Sequence, residues 1–116
     1  MRMTLYHIAR LPDWQDALKI GEYRVSTAGL SLTQVGFIHA SAADQVAPTA
    51  ERFYKDEEGG LCVLVIDDAA VRRAGTEIVT ENVGGELFPH IYGPLRTAWV
   101  SEVRPAAFTS DGRFLW

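Results

Sequence analysis

The order of helix and strand patterns along this 116-residue chain predicts an α+β fold with an antiparallel-rich sheet and two main helices. Helical patterns come early and strand patterns accumulate late, whereas a doubly wound parallel sheet alternates them throughout. Six consecutive apolar residues, 61–66, predict a central strand that is buried on both faces. We expect one domain over residues 1–116, because a chain of this length can bury a core without disulfides or metals.

The N-terminal third has the patterns of a strand, a helix and two shorter elements. Residues 3–9 alternate in the manner of a strand. Pro12 suits the start of a helix and Gly21 suits its end. Residues 22–25 predict a short strand, and residues 31–35 predict a single turn.

The middle of the chain predicts a strand followed by the longest helix. Residues 37–40 form the second clear strand pattern. Ser41 then has the character of an N-cap for a helix over residues 42–54, with Asp44 as the carboxylate of a capping box. Pro48 should kink or split this helix, because proline removes a backbone donor.

The C-terminal half predicts several strands around one irregular segment. Residues 67–71 suit a brief turn, and residues 77–81 alternate weakly like a strand. Residues 82–94 contain two prolines and three glycines and predict a special loop. Residues 97–103 predict the last strand.

Composition excludes several classes of function. The net charge is −4, and Arg72-Arg73 is the longest basic run, so broad binding to nucleic acid is not expected. No apolar stretch approaches the ~20 residues of a membrane span. The single cysteine, Cys62, cannot form an internal disulfide, which favours a reducing, cytoplasmic location.

The three histidines are the main candidates for chemistry, because each lies in a segment dense in special residues. His7 lies on the face of the first strand that also carries Leu5 and Ala9, His39 follows Ile38, and His90 lies within the special loop. Imidazole serves as an acid, a base or a ligand anchor near neutral pH. We expect His39 and His90 to line one cleft with His7 nearby. A three-histidine metal site is an alternative, although these residues lack the short spacing of a local ligand pair.

Five segments of the chain are dense in distinctive residues: 5–8, 36–41, 44–46, 52–54 and 81–95. Together they resemble the small bacterial domain-of-unknown-function family 952 over nearly the whole chain. The family resembles the ADP-ribosyltransferase-like clan, in which a split antiparallel sheet cradles NAD or a related nucleotide. The resemblance therefore implies this fold and a small nucleotide-like ligand, with NAD as a candidate substrate and no resident metal.

The resemblance also implies roles for individual residues. His7 takes the position of the first-strand residue that contacts the ribose, and His39 matches a middle-strand site that helps hold the nicotinamide. Glu81 is the first choice for the late residue that polarises a ribose hydroxyl, ahead of Glu86 and His90.

We therefore predict Glu81, His90 and His39 as catalytic residues and His7 and His39 as ligand contacts. Tyr92 is predicted to stack on a ligand base, and Arg96, which follows the special loop, is predicted to pair with a phosphate. A non-catalytic module that binds a nucleotide or another metabolite remains the alternative to an enzyme.

Overall fold

The computed structural model of the protein describes residues 3–116 and has the α+β character predicted from the sequence. A 3₁₀ turn covers Thr97–Trp99. The helices are α1 Leu11–Ile20, α2 Leu32–Val35, α3 Ala43–Phe53 and α4 Asp68–Arg73. The strands are β1 Thr4–Arg10, β2 Glu22–Tyr23, β3 Val25–Thr27, β4 Leu30–Ser31, β5 Ile38–His39, β6 Leu61–Asp67, β7 Glu77–Val83, β8 Glu86–Tyr92, β9 Leu95–Arg96, β10 Val100–Phe108 and β11 Phe114–Leu115.

The larger sheet has four strands in the order β1-β6-β10-β11, and all its pairs are antiparallel. β6 lies between β1 and β10, which confirms the prediction of a central strand there. Val63, Leu64 and Ile66 are fully buried, as a strand covered on both faces requires.

A second sheet of three strands, in the order β5-β8-β7, carries the segments with His39 and His90. A backbone bridge joins the two sheets. Tyr6 N–H of β1 donates to the Ser41 carbonyl at 2.9 Å, and Ser41 N–H donates back to the Tyr6 carbonyl at 2.8 Å. The short pairs β2–β9 and β3–β4 lie outside these sheets.

The prediction of a special loop over residues 82–94 is wrong, because most of this segment is one arm of the β7–β8 hairpin. Gly84 and Gly85 form its turn with φ values of 61° and 93°, and a type I′ hairpin turn needs positive φ at both central residues. Pro89 lies within β8, beside the point where the two-residue strand β5 ends. Its carbonyl accepts a hydrogen bond from Ala40 N–H at 3.0 Å, and Ala40 is the first residue after β5.

The start of α3 also differs from the prediction. The N-cap is Ala42, while Ser41 is held in the bridge to β1. The side-chain carbonyl of Gln45, and not the carboxylate of Asp44, accepts from Ala42 N–H at 3.0 Å. The helix continues through Pro48 without splitting.

Three other boundaries shift. The predicted strand over residues 22–25 is two short strands, β2 and β3, which have different partners. The turn predicted over residues 67–71 is the helix α4. The last long strand begins at Val100, after the 3₁₀ turn, and not at residue 97.

The core has two clusters, and the alternation of β1 divides its side chains between them. Leu5 and Ala9 belong to one cluster, and Ile8 belongs to the other with Val46 of α3. This confirms the two faces predicted for the first strand. No helix within residues 3–116 is long and apolar enough to cross a membrane.

Candidate functional site

A cleft of about 390 Å³ lies beside the second sheet. Its walls come from β3, from β4, from the segment between α2 and β5, from the end of α3, and from the β7–β8 hairpin. Most of its lining side chains are apolar, and four are polar: Ser26 and His90 are buried, and Thr27 and His39 are partly buried.

His39 and His90 meet because they are directly opposite each other in the β5–β8 pair. Opposite residues on antiparallel strands place their side chains on the same face. Their ring centroids are 5.4 Å apart, and both residues line the cleft. His39 and His90 therefore line one cleft, as predicted from the sequence.

Glu81 orients the ring of His90. Its Oε1 lies 2.7 Å from His90 Nδ1 and also accepts a hydrogen bond from the hydroxyl of Tyr92. The hydrogen bond from Tyr92, and then the one from His90, lowers the pKa of the Glu81 carboxyl. An ionised carboxylate can only accept, so Nδ1 of His90 carries the hydrogen. In the tautomer that this bond selects, the lone pair is on Nε2.

Phe37 fixes the plane of the same imidazole. Its ring stacks on His90 with a centroid separation of 3.9 Å and an interplanar angle of 11°. His90 is only 2% exposed, so little room remains for another rotamer. Glu81 on one edge and Phe37 on one face together hold Nε2 in place.

Three buried polar atoms have no hydrogen-bond partner among residues 3–116: Ser26 Oγ, His39 Nε2 and His90 Nε2. All three residues line the same cleft. Buried polar groups are nearly always hydrogen-bonded, and leaving one unpaired costs about 1–3 kcal/mol. Three such atoms in one cleft make it the candidate functional site.

One of the two imidazoles in the cleft lining is neutral at pH 7. Burial, and then the proximity of His90, lowers the pKa of His39 to about 4, so this imidazole is uncharged at pH 7. Within residues 3–116, the side chains that line the cleft include no lysine, arginine, aspartate or glutamate.

His7 lies beneath the site, and both of its ring nitrogens are engaged. Nδ1 is 2.6 Å from the carbonyl of His39, and Nε2 is 2.8 Å from the hydroxyl of Tyr23. Burial lowers the pKa of His7 to about 4. The neutral ring therefore donates to His39 and accepts from Tyr23, and it supports the backbone of β5 from below.

The three imidazoles do not converge on one point, because both nitrogens of His7 are engaged in these hydrogen bonds. Over residues 3–116, no group of three or more His, Cys, Asp or Glu side chains is arranged to hold a metal ion.

The other predicted site residues lie around the cleft or away from it. Tyr92 is at the end of β8 and is 38% exposed, and its hydroxyl donates a hydrogen bond to Glu81. Glu86 begins β8 next to the hairpin turn and is exposed. Arg96 is exposed on β9 opposite Glu22, and it is not among the described residues that line the cleft.

Two residues of the site were missed by sequence reasoning. Phe37 lies two positions before His39, so its place in the same dense segment was a usable signal. Ser26 is a single serine in a three-residue strand, and nothing near it in sequence indicates a site. Only the packing of β3 beside β5 brings it to the cleft.

Comparison with known proteins identifies relatives but no characterised function. Residues 8–103 match the family described as "Protein of unknown function (DUF952)". Among curated proteins, none is significantly similar in sequence to this chain.

Solved structures of one bacterial protein share the fold. The crystal structure of CC0527 from Caulobacter crescentus, a structural genomics target, is 26% identical with a TM-score of 0.82, and the alignment covers 97% of this chain and 94% of that one. A double mutant of CC0527 gives a TM-score of 0.81 at the same identity and coverage. The solution NMR structure of CC0527 is 25% identical with a TM-score of 0.75, and the alignment covers 95% of this chain and 90% of that one.

Proposed function

This chain belongs to the DUF952 family of proteins of unknown function, and we propose that its cleft is the active site of an ADP-ribosyltransferase-like enzyme acting on NAD or another nucleotide-linked ribose. The observation that carries the proposal is the state of His90. One nitrogen is held by Glu81 at 2.7 Å, and the other is buried at the cleft without a partner among the described residues. This is the arrangement of a positioned general base.

The split of the sheet supports the same proposal. Two antiparallel ladders joined by the bridge between Tyr6 and Ser41, with a cleft beside the second ladder, suit the clan that the sequence resembles. The apolar walls suit the faces of a base and a sugar, and the buried polar atoms suit their hydrogen-bonding edges.

In the proposed reaction, the glycosidic bond between C1′ and the base nitrogen breaks, and the base leaves with the bonding electron pair. Water, or the hydroxyl of an acceptor, forms the new bond to C1′ and releases a proton. His90 Nε2 takes that proton. General base catalysis of this kind contributes about 10²–10⁴ to a rate.

The surrounding residues divide the remaining tasks. His39 contacts the ligand through Nε2, which is neutral and has no partner among residues 3–116. Glu81 is a positioning residue, because its carboxylate acts through the ring of His90. His7 positions His39 through its carbonyl, and Tyr92 holds the carboxylate of Glu81.

A ligand screen followed by thermal unfolding tests this proposal, with NAD, ADP-ribose and nucleotide 2′-phosphates as probes. A ligand at one hundred times its dissociation constant should add about 2.7 kcal/mol to the free energy of unfolding. The matched variant is His90→Asn, whose amide can still donate to Glu81 but has no counterpart of Nε2. We expect these ligands to stabilise the parent protein, and we expect turnover by the parent protein but not by His90→Asn. If none of these probes shifts the unfolding temperature of the parent protein, the proposal is contradicted.

A second candidate is a binding module without turnover. One observation favours it: no carboxylate is among the described residues that line the cleft, although one beside the ribose would stabilise an oxocarbenium-like transition state. The two candidates separate on a single measurement, which is the release of free base from a ligand already shown to bind.

A further inference from the structure

Ser26 carries the one unpaired polar atom of the described cleft lining that the proposed reaction leaves without a task. It lies on β3, its exposure is 0%, and its hydroxyl has no hydrogen-bond partner among residues 3–116. The hydroxyl of the next residue, Thr27, lies 3.3 Å from that of Tyr54, so the strand does satisfy its neighbour. Thr27 lines the cleft as well, so Ser26 carries the one hydroxyl of the described lining that has no partner.

Among the residues that the structure describes, the cleft lining also contains no lysine or arginine. Sites for phosphate usually provide Arg, Lys or the N-terminus of a helix. The described lining provides instead the imidazoles of His39 and His90, the hydroxyls of Ser26 and Thr27, and apolar side chains. A phosphate placed there would lose its hydration without a compensating cation.

The mouth of the cleft is apolar and partly exposed. Phe53 is 58% exposed, Leu30 is 44% exposed and Val83 is 43% exposed, and all three line the cleft. Exposed apolar side chains gathered around a concave site are characteristic of surfaces that a ligand covers.

From these features we propose that Ser26 is a ligand contact and that the group held within the cleft is uncharged. This group has an apolar or ring-shaped body, and it carries at least one O–H or N–H donor for the lone pair of His90 Nε2. It hydrogen-bonds to Ser26 Oγ at the β3 end of the cleft. The inference rests on the proposed function in one respect: a nucleotide ligand places its base or ribose in the cleft and leaves its phosphates outside.

Matched probes with and without a phosphate test the charge of the ligand. Adenosine and adenosine 5′-monophosphate share one body, as do 2-phenylethanol and 2-phenylethyl phosphate. Isothermal titration, and chemical shifts of the His39 and His90 rings, should show that the neutral member of a pair binds at least as tightly as its phosphate. A phosphate that tightens binding by tenfold or more overturns the inference, as does failure of both neutral probes to bind. Binding of 2-phenylethanol with no nucleoside or nucleotide bound leaves this inference standing and removes the proposed function.

Substitution of Ser26 tests its role as a contact. Ser26→Ala should weaken binding of the neutral probe about threefold to tenfold, the effect of one lost hydrogen bond between neutral groups. Its melting temperature should equal or exceed that of the parent, because the variant removes a buried hydroxyl that has no partner. Ser110→Ala, in an exposed turn, is the matched control and should change neither quantity. A lower melting temperature with unchanged affinity would assign Ser26 a structural role and overturn the proposal.

Discussion

The imidazole of His90 has a different environment at each nitrogen, and this difference depends on Glu81. The carboxylate fixes which nitrogen carries the hydrogen, and Phe37 fixes the ring plane. A residue that acts in this way affects reactivity without touching the ligand. Its substitution should therefore change the chemical step more than binding.

Glu81→Gln should lower kcat at least about tenfold while leaving KM within about threefold. The amide keeps the shape of the side chain but loses the charge that holds His90 in one tautomer. The nitrogen chemical shifts of the His90 ring should report a mixture of tautomers in the variant and one tautomer in the parent. Parent-like kcat together with unchanged ring shifts would contradict the positioning role.

His7 shows that a histidine in a dense motif can serve the backbone. His7→Phe should lower the free energy of unfolding by about 1–3 kcal/mol or more, because the His39 carbonyl and the Tyr23 hydroxyl both lose their buried partner. Urea denaturation measures this loss. The double variant with Tyr23→Phe should lose less than the sum of the two single variants, since the orphaned hydroxyl is gone. Strict additivity would show that the two side chains are not coupled.

The β7–β8 hairpin is the element that assembles the site, because it carries both Glu81 and His90. The alternation of β1 could be predicted since its period of two is a local property of the chain. The hairpin could not be predicted, because proline and glycine usually interrupt strands and Pro89, Gly84 and Gly85 therefore indicate a loop. Pro89 is tolerated beside the end of β5, and that end is set by a partner about fifty residues away in sequence.

The turn of this hairpin is open to a direct test. Gly84→Ala should destabilise the protein by about 1–2 kcal/mol, because its φ of 61° lies in the left-handed region that disfavours a Cβ. No other atom lies within 4 Å of an added Cβ there, so the loss should be one of backbone strain alone. Gly59→Ala, where φ is not positive and contacts are ordinary, is the control and should be neutral. Equal stability of the two variants in urea denaturation would exclude strain at the turn.

Two buried neutral histidines affect the stability of the whole molecule. Burial lowers the pKa of both His7 and His39 to about 4, from an ordinary value of 6.5. The unfolded chain therefore binds more protons than the folded protein between these values. The stability that both residues contribute is complete above about pH 6.5 and is lost as the pH falls toward 4.

The free energy of unfolding should therefore fall across this window, by up to about 1.4 kcal/mol per pH unit for each histidine. Urea denaturation at a series of pH values from 7.5 to 4.5 measures the slope. In His7→Gln the slope should decrease by the share of one residue. A flat profile in the parent, or an unchanged slope in the variant, would show that these rings already bind protons in the folded protein.

The α+β fold class could be predicted from local pattern, and the meeting of His39 and His90 in one cleft from motif density and the family resemblance. The arrangement around them could not. The contact between Glu81 and His90 depends on the register of two strands, and Ser26 reaches the cleft only because β3 packs beside β5. Both are consequences of tertiary placement that no short segment of the chain encodes.

Release of free base from NAD or a nucleoside that binds the cleft is the measurement that tests most directly whether His90 is an acid–base group. Chromatography of the products compares the parent protein with His90→Asn, which can keep a hydrogen bond to Glu81 but lacks Nε2. We predict turnover by the parent and a loss of about 10²–10⁴ in kcat in the variant, with binding largely retained. Equal turnover by both proteins, or binding by the parent with no release of base, would contradict this assignment.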